Sequence, residues 1–152
     1  ATETVADNQV RHRGTLDGSL AHADPAGDLG AVALALDAEL VIAGPSGRRT
    51  VPASEFFVDY FTTALGEGDV LTEIRFPKYT GWGSHYEKFN RTAQAWSMVA
   101  LVGQPATADA VRSAAERVTE GTAAPSDADA AADYREHLAK VLTGRAVLAA
   151  AG

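Results

Sequence analysis

Apolar positions fall into short blocks separated by glycine- and proline-rich breaks. In "LGAVALAL" (29–36), Leu29, Val32, Ala33 and Leu36 recur at helical spacing, which predicts a short helix with one apolar stripe. "AELVIAG" (38–44) is a continuous apolar run suited to a buried strand, "GPSG" is a turn signal, and "RRTVPA" is the returning strand of a hairpin. "SEFFVDYF" (54–61) opens on a serine able to cap a helix and sets Phe56, Phe57, Tyr60 and Phe61 at helical or turn spacing, as expected of core aromatics. After the "GEGD" break, "VLTEIRFP" (70–77) alternates, which would place Val70, Thr72, Ile74 and Phe76 on one half-buried face. "SHYEKFNR" (84–91) and "AWSMVALVG" (95–103) read as two more strands. From Thr107 the chain turns to alanine and charge. "TADAVRSAAERVTEG" and "DADAAADYREHLAKVLTGRAVLAAA" predict two helices, each with a Thr or Asp cap and a glycine stop. Asp127, Asp129 and Asp133 are expected to cap and solubilise the second.

This order predicts an α+β chain in two parts, 1–80 and 81–152, with the boundary among residues 77–84. Residues 1–12 carry little apolar pattern. An apolar content of 46% with 22% charged residues is that of a globular protein. A net charge of −7 disfavours a nucleic-acid partner, because phosphate binding needs a surplus of Lys and Arg. No window approaches the roughly 20 apolar residues of a membrane span, and the first residues lack the pattern of a signal peptide, which suits a cytoplasmic protein. With no cysteine, this chain cannot supply thiolate catalysis or hold an iron–sulfur cluster itself. A redox role would need an organic cofactor or a partner's metals.

Turn-forming residues concentrate in "RGTLDGSLAHADPAGDLGAVALAL" (13–36), well beyond what a plain connection requires. Asp24-Pro25 is a good helix start and Asp28 would sit in a first turn, where a carboxylate is favoured. A cap does not explain "TLDGS" upstream. Thr15, Gly18 and Ser19 bring hydroxyls and bare backbone near a helix start, a combination suited to phosphate oxygens. The segment fits neither the P-loop nor the Gly-x-Gly-x-x-Gly fingerprint. His12, His22, His85 and His137 are dispersed and show no metal spacing, so no metal site is expected. Ser19, His22 and Asp28 include a hydrolase's residue types but lack the Gly-x-Ser-x-Gly elbow.

Taken in order, "HRGTLDGSLAHADPAGDL", "ALDAELVIAGPSGRRTVPASEFF", "GDVLTEIRFP" and "HYEKFNR" resemble the flavoprotein subunits of the molybdenum hydroxylases, among them the medium subunit of aerobic carbon monoxide dehydrogenase. The likeness runs from about Val10 to about Val102 and resumes in "SDADAAADYREHLAKVLTGRAV", similar to the family's closing Asp…Tyr-Arg…Ala helix. It implies part of a two-lobe FAD-binding domain of the molybdenum-hydroxylase/vanillyl-alcohol-oxidase-like type, followed by a C-terminal lobe of mixed sheet and helices. The family's first Gly-rich pyrophosphate loop has no counterpart here, and the stretch near 100–106 is shorter than the family's.

The resemblance also implies the site. Thr15, Leu16, Asp17, Gly18 and Ser19 match the family's second pyrophosphate loop, with Asp17 where a glycine is usual. A carboxylate there would repel phosphate unless it points away. Asp28 falls on the family's ribose- or flavin-bonding aspartate, Leu71 on an apolar flavin contact, and Tyr86 and Lys88 in the flavin-ring region. The implied role is an oxidoreductase component with no catalytic residue of its own. Electrons would pass from a large molybdenum-cofactor subunit through the [2Fe–2S] clusters of a small subunit to FAD, in a dimer of heterotrimers. Two alternatives stay open: an interaction subunit that keeps the fold without FAD, and a free-standing flavin oxidase.

Overall fold

The computed structural model describes residues 1–103 and 114–151 and divides the chain into two compact units, Thr2–Tyr79 and Thr80–Gly152. In the first unit a short 3-10 turn, Thr2–Thr4, leads to helices α1 (Asn8–Arg13), α2 (Leu16–His22) and α3 (Asp28–Ala35). The unpatterned start is thus helical. Asp7 caps α1, its carboxylate accepting from the N–H groups of Gln9 and Val10 at 2.9 Å each.

The region expected to be an irregular loop ahead of the helix over 29–36 is a helix, α2, and a turn. Thr15 caps α2, so "LDGSLAH" is helical from Leu16 onward. Asp24-Pro25 does not start α3. Asp24 forms a turn instead, its carboxylate accepting from Ala26 N–H at 2.9 Å and its carbonyl from Gly27 N–H at 2.9 Å. Gly27 then occupies the cap position of α3 without a side-chain bond. Ala23, at φ 51°, ends α2 in the left-handed region, and that reversal leaves too few residues for the helix to restart at Pro25.

Strands β1 (Glu39–Gly44), β2 (Gly47–Pro52) and β5 (Val70–Arg75) form an antiparallel sheet in the order β2-β1-β5. The two-residue Pro45-Ser46 connection closes the expected hairpin, with Gly44 opposite Gly47. Leu40 and Ile42 of β1 are fully buried in one core with Leu20 and Phe56. The alternation read for 70–77 puts the wrong residue inside. Leu71 is buried and Val70 exposed, because the register with β1 shifts between Val41 and Ile42. Ile42 faces Leu71 while Val41 faces Glu73, leaving Thr72 as the extra residue of a bulge, with its hydroxyl donating to Val41 O at 3.1 Å. The bulge lets Leu71 and Ile74, three apart, both reach the same core.

"SEFFVDYF" is also corrected. Only Ala53–Phe56 is helical (α4), with Pro52 at its cap, and Phe57–Asp59 is strand β3, paired with β4 (Thr62–Thr63). Phe56 is core, but Tyr60 and Phe61 are 62% and 51% exposed in the hairpin turn, and the Phe61 ring meets His22 edge-on at 5.3 Å.

In the second unit β6 (His85–Phe89) and β7 (Val99–Gly103) form an antiparallel pair, and the C-terminal helix Ala132–Ala151 packs against both. The second predicted strand therefore begins at Val99, with residues 90–98 as its connection. Of the helix expected over 107–121, residues 114–117 are helical and 107–113 lie outside the described residues, as do 104–106 of the short stretch. Of the expected aspartates only Asp133 serves the first turn of the last helix, its Oδ1 accepting from Tyr134 N–H at 2.8 Å. Ser126 Oγ accepts from Ala132 N–H at 2.9 Å, while Asp127 folds into the preceding turn and accepts from the N–H groups of Asp129 and Ala130 at 2.9 and 3.1 Å. The helix runs through Gly144 to Ala151, and the expected glycine stop, Gly152, lies outside the described residues. No helix among the described residues is long and apolar enough to cross a membrane.

Candidate functional site

Leu16, Asp17 and Gly18 form the first turn of α2, and Thr15 is its cap. Thr15 Oγ1 accepts from Gly18 N–H at 3.1 Å, and Thr15 O accepts from Ser19 N–H at 3.1 Å. The helix forms here because Thr15 supplies the cap and Leu20 anchors the opposite face in the core. Gly18 is therefore not needed for a positive φ, since its backbone is helical. It is needed for space: a Cβ there would lie 2.9 Å from Thr15 Oγ1.

The N–H groups of Leu16 and Asp17, in the first turn, have no acceptor inside the helix. With the Thr15 and Ser19 hydroxyls they make a donor set that suits an anionic oxygen. Thr15, Asp17 and Gly18 are exposed and Ser19 is half-buried. Asp17 is the one member whose charge opposes a phosphate. The residues present thus fit the phosphate portion of FAD, through hydroxyl and backbone donors and without a basic side chain.

Asp28 opens α3 and is only 4% exposed, so its carboxylate is held within the structure at a helix start, where the helix dipole favours it. Leu71, 7% exposed, lies on the edge strand of the sheet with its side chain in the core among Leu40, Ile42 and Phe56. Any contact it makes with a ligand is through the little surface that remains. In the second unit Tyr86 and Lys88 are alternate residues of β6, opposite Val102 and Ala100, so they share one face. The intervening Glu87 pairs with His85 across the other face, Oε2 to Nε2 at 2.9 Å.

Two polar clusters were not singled out as functional. Asp69, in the "GEGD" break, accepts from Arg49 Nη2 and from Gly66 N–H, both at 2.8 Å, and Arg49 also donates to Ala64 O at 2.7 Å. The Arg49 hydrogen bond, then that from Gly66, holds the Asp69 carboxyl below the usual carboxylate range. In the second unit Arg135 bridges the C-terminal helix to Met98 and to Asp127. Both clusters join residues distant in sequence, and no local spacing announces such pairs.

Two family models match the chain in sequence order. The FAD binding domain in molybdopterin dehydrogenase matches residues 1–79, and the CO dehydrogenase flavoprotein C-terminal domain matches residues 92–150. The carbon monoxide dehydrogenase medium chain of Hydrogenophaga pseudoflava is 45% identical over 100 residues, which cover 64% of this chain and 34% of that one. The glyceraldehyde dehydrogenase medium chain of Sulfolobus acidocaldarius is 29% identical over 181 residues, covering 96% of this chain and 64% of that one. Among solved structures, carbon monoxide dehydrogenase from Hydrogenophaga pseudoflava, in a form lacking the Mo-pyranopterin moiety of its molybdenum cofactor, superposes with a TM-score of 0.88 at 32% identity. That match covers 97% of this chain and 64% of the other. The chain thus spans between about a third and two thirds of the length of these relatives. With more than half its length in the first model and most of the remainder in the second, the chain belongs to the FAD-binding flavoprotein family of the molybdopterin dehydrogenases.

Proposed function

We propose that this chain is the FAD-binding electron-transfer component of a molybdenum hydroxylase of the carbon monoxide dehydrogenase type. The observation that carries the reading is the ordered match of both halves to a single kind of flavoprotein, and the capped first turn of α2 supports it with donors suited to phosphate oxygens. Thr15, Leu16, Gly18 and Ser19 would hold phosphate oxygens through hydroxyl and backbone N–H groups. Asp28, Leu71, Tyr86 and Lys88 would contact the remainder of FAD. The bound flavin supplies the capacity to accept and release electrons, and the residues of this chain fix its place and tune its potential. The lack of cysteine agrees with iron–sulfur clusters residing in a small partner subunit and substrate oxidation at molybdenum in a large one. A cytoplasmic dimer of heterotrimers is the assembly proposed.

Purification from cells that carry the neighbouring subunits tests this directly. The expected preparation is yellow, absorbs near ~450 nm and releases FAD on denaturation, with molybdenum and iron in the co-purifying chains. A colourless preparation that still assembles with partners would make the chain an interaction subunit. A yellow, monomeric preparation that turns over alone would make it a free-standing oxidase.

A further inference from the structure

Arg135 closes the first turn of the C-terminal helix, its N–H donating to Ala131 O at 3.1 Å, yet its guanidinium leaves the helix. Nη1 donates to Met98 O at 2.9 Å, across 37 residues of chain, and Nη2 donates to Asp127 Oδ1 at 2.6 Å. The side chain is only 11% exposed, and Nε has no acceptor among the described residues. Burying a guanidinium this far is unfavourable unless its donors are satisfied, and Arg135 meets that need with one carbonyl and one half-exposed carboxylate.

The group it grips is informative. Met98 N–H donates to Phe89 O at 2.9 Å, so Met98 closes the β6–β7 pair with its amide while its carbonyl is held by the helix. Met98 is one step from Val99, which faces Phe89, and two from Ala100, which faces Lys88. Asp127 is in turn preset by two backbone N–H groups, which, together with Arg135, hold its carboxyl below the usual range. A planar guanidinium can serve two divergent acceptors at once, whereas an ammonium acts as a point charge on a flexible stem.

We infer that Arg135 is a positioning residue: by pinning Met98 and Asp127 to the C-terminal helix it sets where β6 presents Tyr86 and Lys88 to the flavin. This rests on the reading of the chain as an FAD-binding component. Arg135 touches neither strand residue by way of its own guanidinium contacts, so its effect on the flavin runs through the hairpin.

The test uses the full-length chain purified with its accompanying subunits, as wild type, Arg135→Met, Arg135→Lys, Lys88→Met and the Arg135→Met/Lys88→Met double variant. FAD per chain after gel filtration, the visible spectrum and potential of the bound flavin, circular dichroism and Tm are recorded for each. Arg135→Met should stay folded, retain FAD about tenfold less tightly and shift the flavin spectrum and potential. Arg135→Lys should fall between it and wild type. The double variant should be little worse than the stronger single one, because both changes act on one contact. A folded Arg135→Met protein with lower Tm but unchanged flavin retention, spectrum and potential would overturn the inference, leaving Arg135 merely structural. If Arg135→Met does not fold, Asp127→Asn decides, since it keeps the bond to Met98. A smaller flavin shift in the same direction supports the inference, and wild-type flavin properties overturn it. A wild type without FAD would instead sink the proposed function itself, and this inference with it.

Discussion

In the first unit Leu20, Leu40, Ile42 and Phe56 are fully buried, whereas the buried face of the C-terminal helix in the second is Leu138, Leu142, Ala146 and Ala150. The first interior is made of large side chains contributed by helices and sheet. Along the described face of that helix two leucines are followed by two alanines, and the Arg135 bridge ties the helix to Met98 and Asp127. Burial stabilises roughly in proportion to apolar area, so Leu20, Leu40, Ile42 and Phe56 contribute more than the two leucines and two alanines of the helix face. The Arg135 bridge adds directional polar contacts, which specify one arrangement and are readily broken by a single change.

The contrast is broken most directly by matched truncations. Leu20→Ala should cost about 3–5 kcal/mol, read as lost hydrogen-exchange protection throughout residues 2–79. Leu142→Ala, on a helix face completed by Ala146 and Ala150, should cost about 2 kcal/mol. Equal costs would remove the distinction.

Gly44 sharpens it next. A Cβ there would coincide with Asp69 Oδ1, so Gly44→Ala should cost about 1–3 kcal/mol by overpacking. In an Asp69→Ala background the same change should cost much less, which a double-mutant cycle in urea would show.

Both units also have acid-sensitive carboxylates with cationic support, among the described residues Asp69 and Glu73 in the first and Asp127 in the second. Asp69 is held low chiefly by Arg49, and Asp127 chiefly by the Ala130 N–H and then by Arg135. A carboxyl depressed in the folded state contributes stability that is complete above its unfolded value, about 3.9, and lost as pH falls through its folded value. Both units should therefore loosen below about pH 4. Arg135→Met should raise the Asp127 titration only in part, because the backbone donors remain, and should leave Asp69 unmoved, as carboxyl chemical shifts would report.

Smaller effects are expected at the cap of α2. Gly18→Ala gains helix propensity of about 1 kcal/mol but crowds the Thr15 hydroxyl, whose capping is worth about as much. Stability should change little while FAD retention falls, which equilibrium dialysis would detect. Asp17→Asn removes a charge from the same turn without adding a helical glycine, and should tighten FAD by about 1 kcal/mol. Unchanged affinity would mean that the Asp17 carboxylate is turned to solvent.

Local chemistry carried much of this structure. The β1–β2 hairpin was legible because a continuous apolar run, a Gly-Pro-Ser-Gly turn and a returning strand each favour it independently. Strand β6, the start of α3 near Leu29 and the helical character of the chain's end were legible for the same reason. The α+β class and the FAD-binding kinship followed from the order of motifs. Tertiary structure decided the rest. The Thr15 cap turned an apparent loop into a helix because Leu20 had a core to enter, a fact no window of five residues contains. The bulge at Thr72 moved Leu71 inward because strand faces are set by pairing with β1, and alternation cannot show a shift of register. Tyr60 and Phe61 stayed outside because a tight β3–β4 turn left them no interior to reach. Arg49 with Asp69, and Arg135 with Met98, join residues 20 and 37 positions apart, and only the folded chain brings such partners within hydrogen-bonding distance.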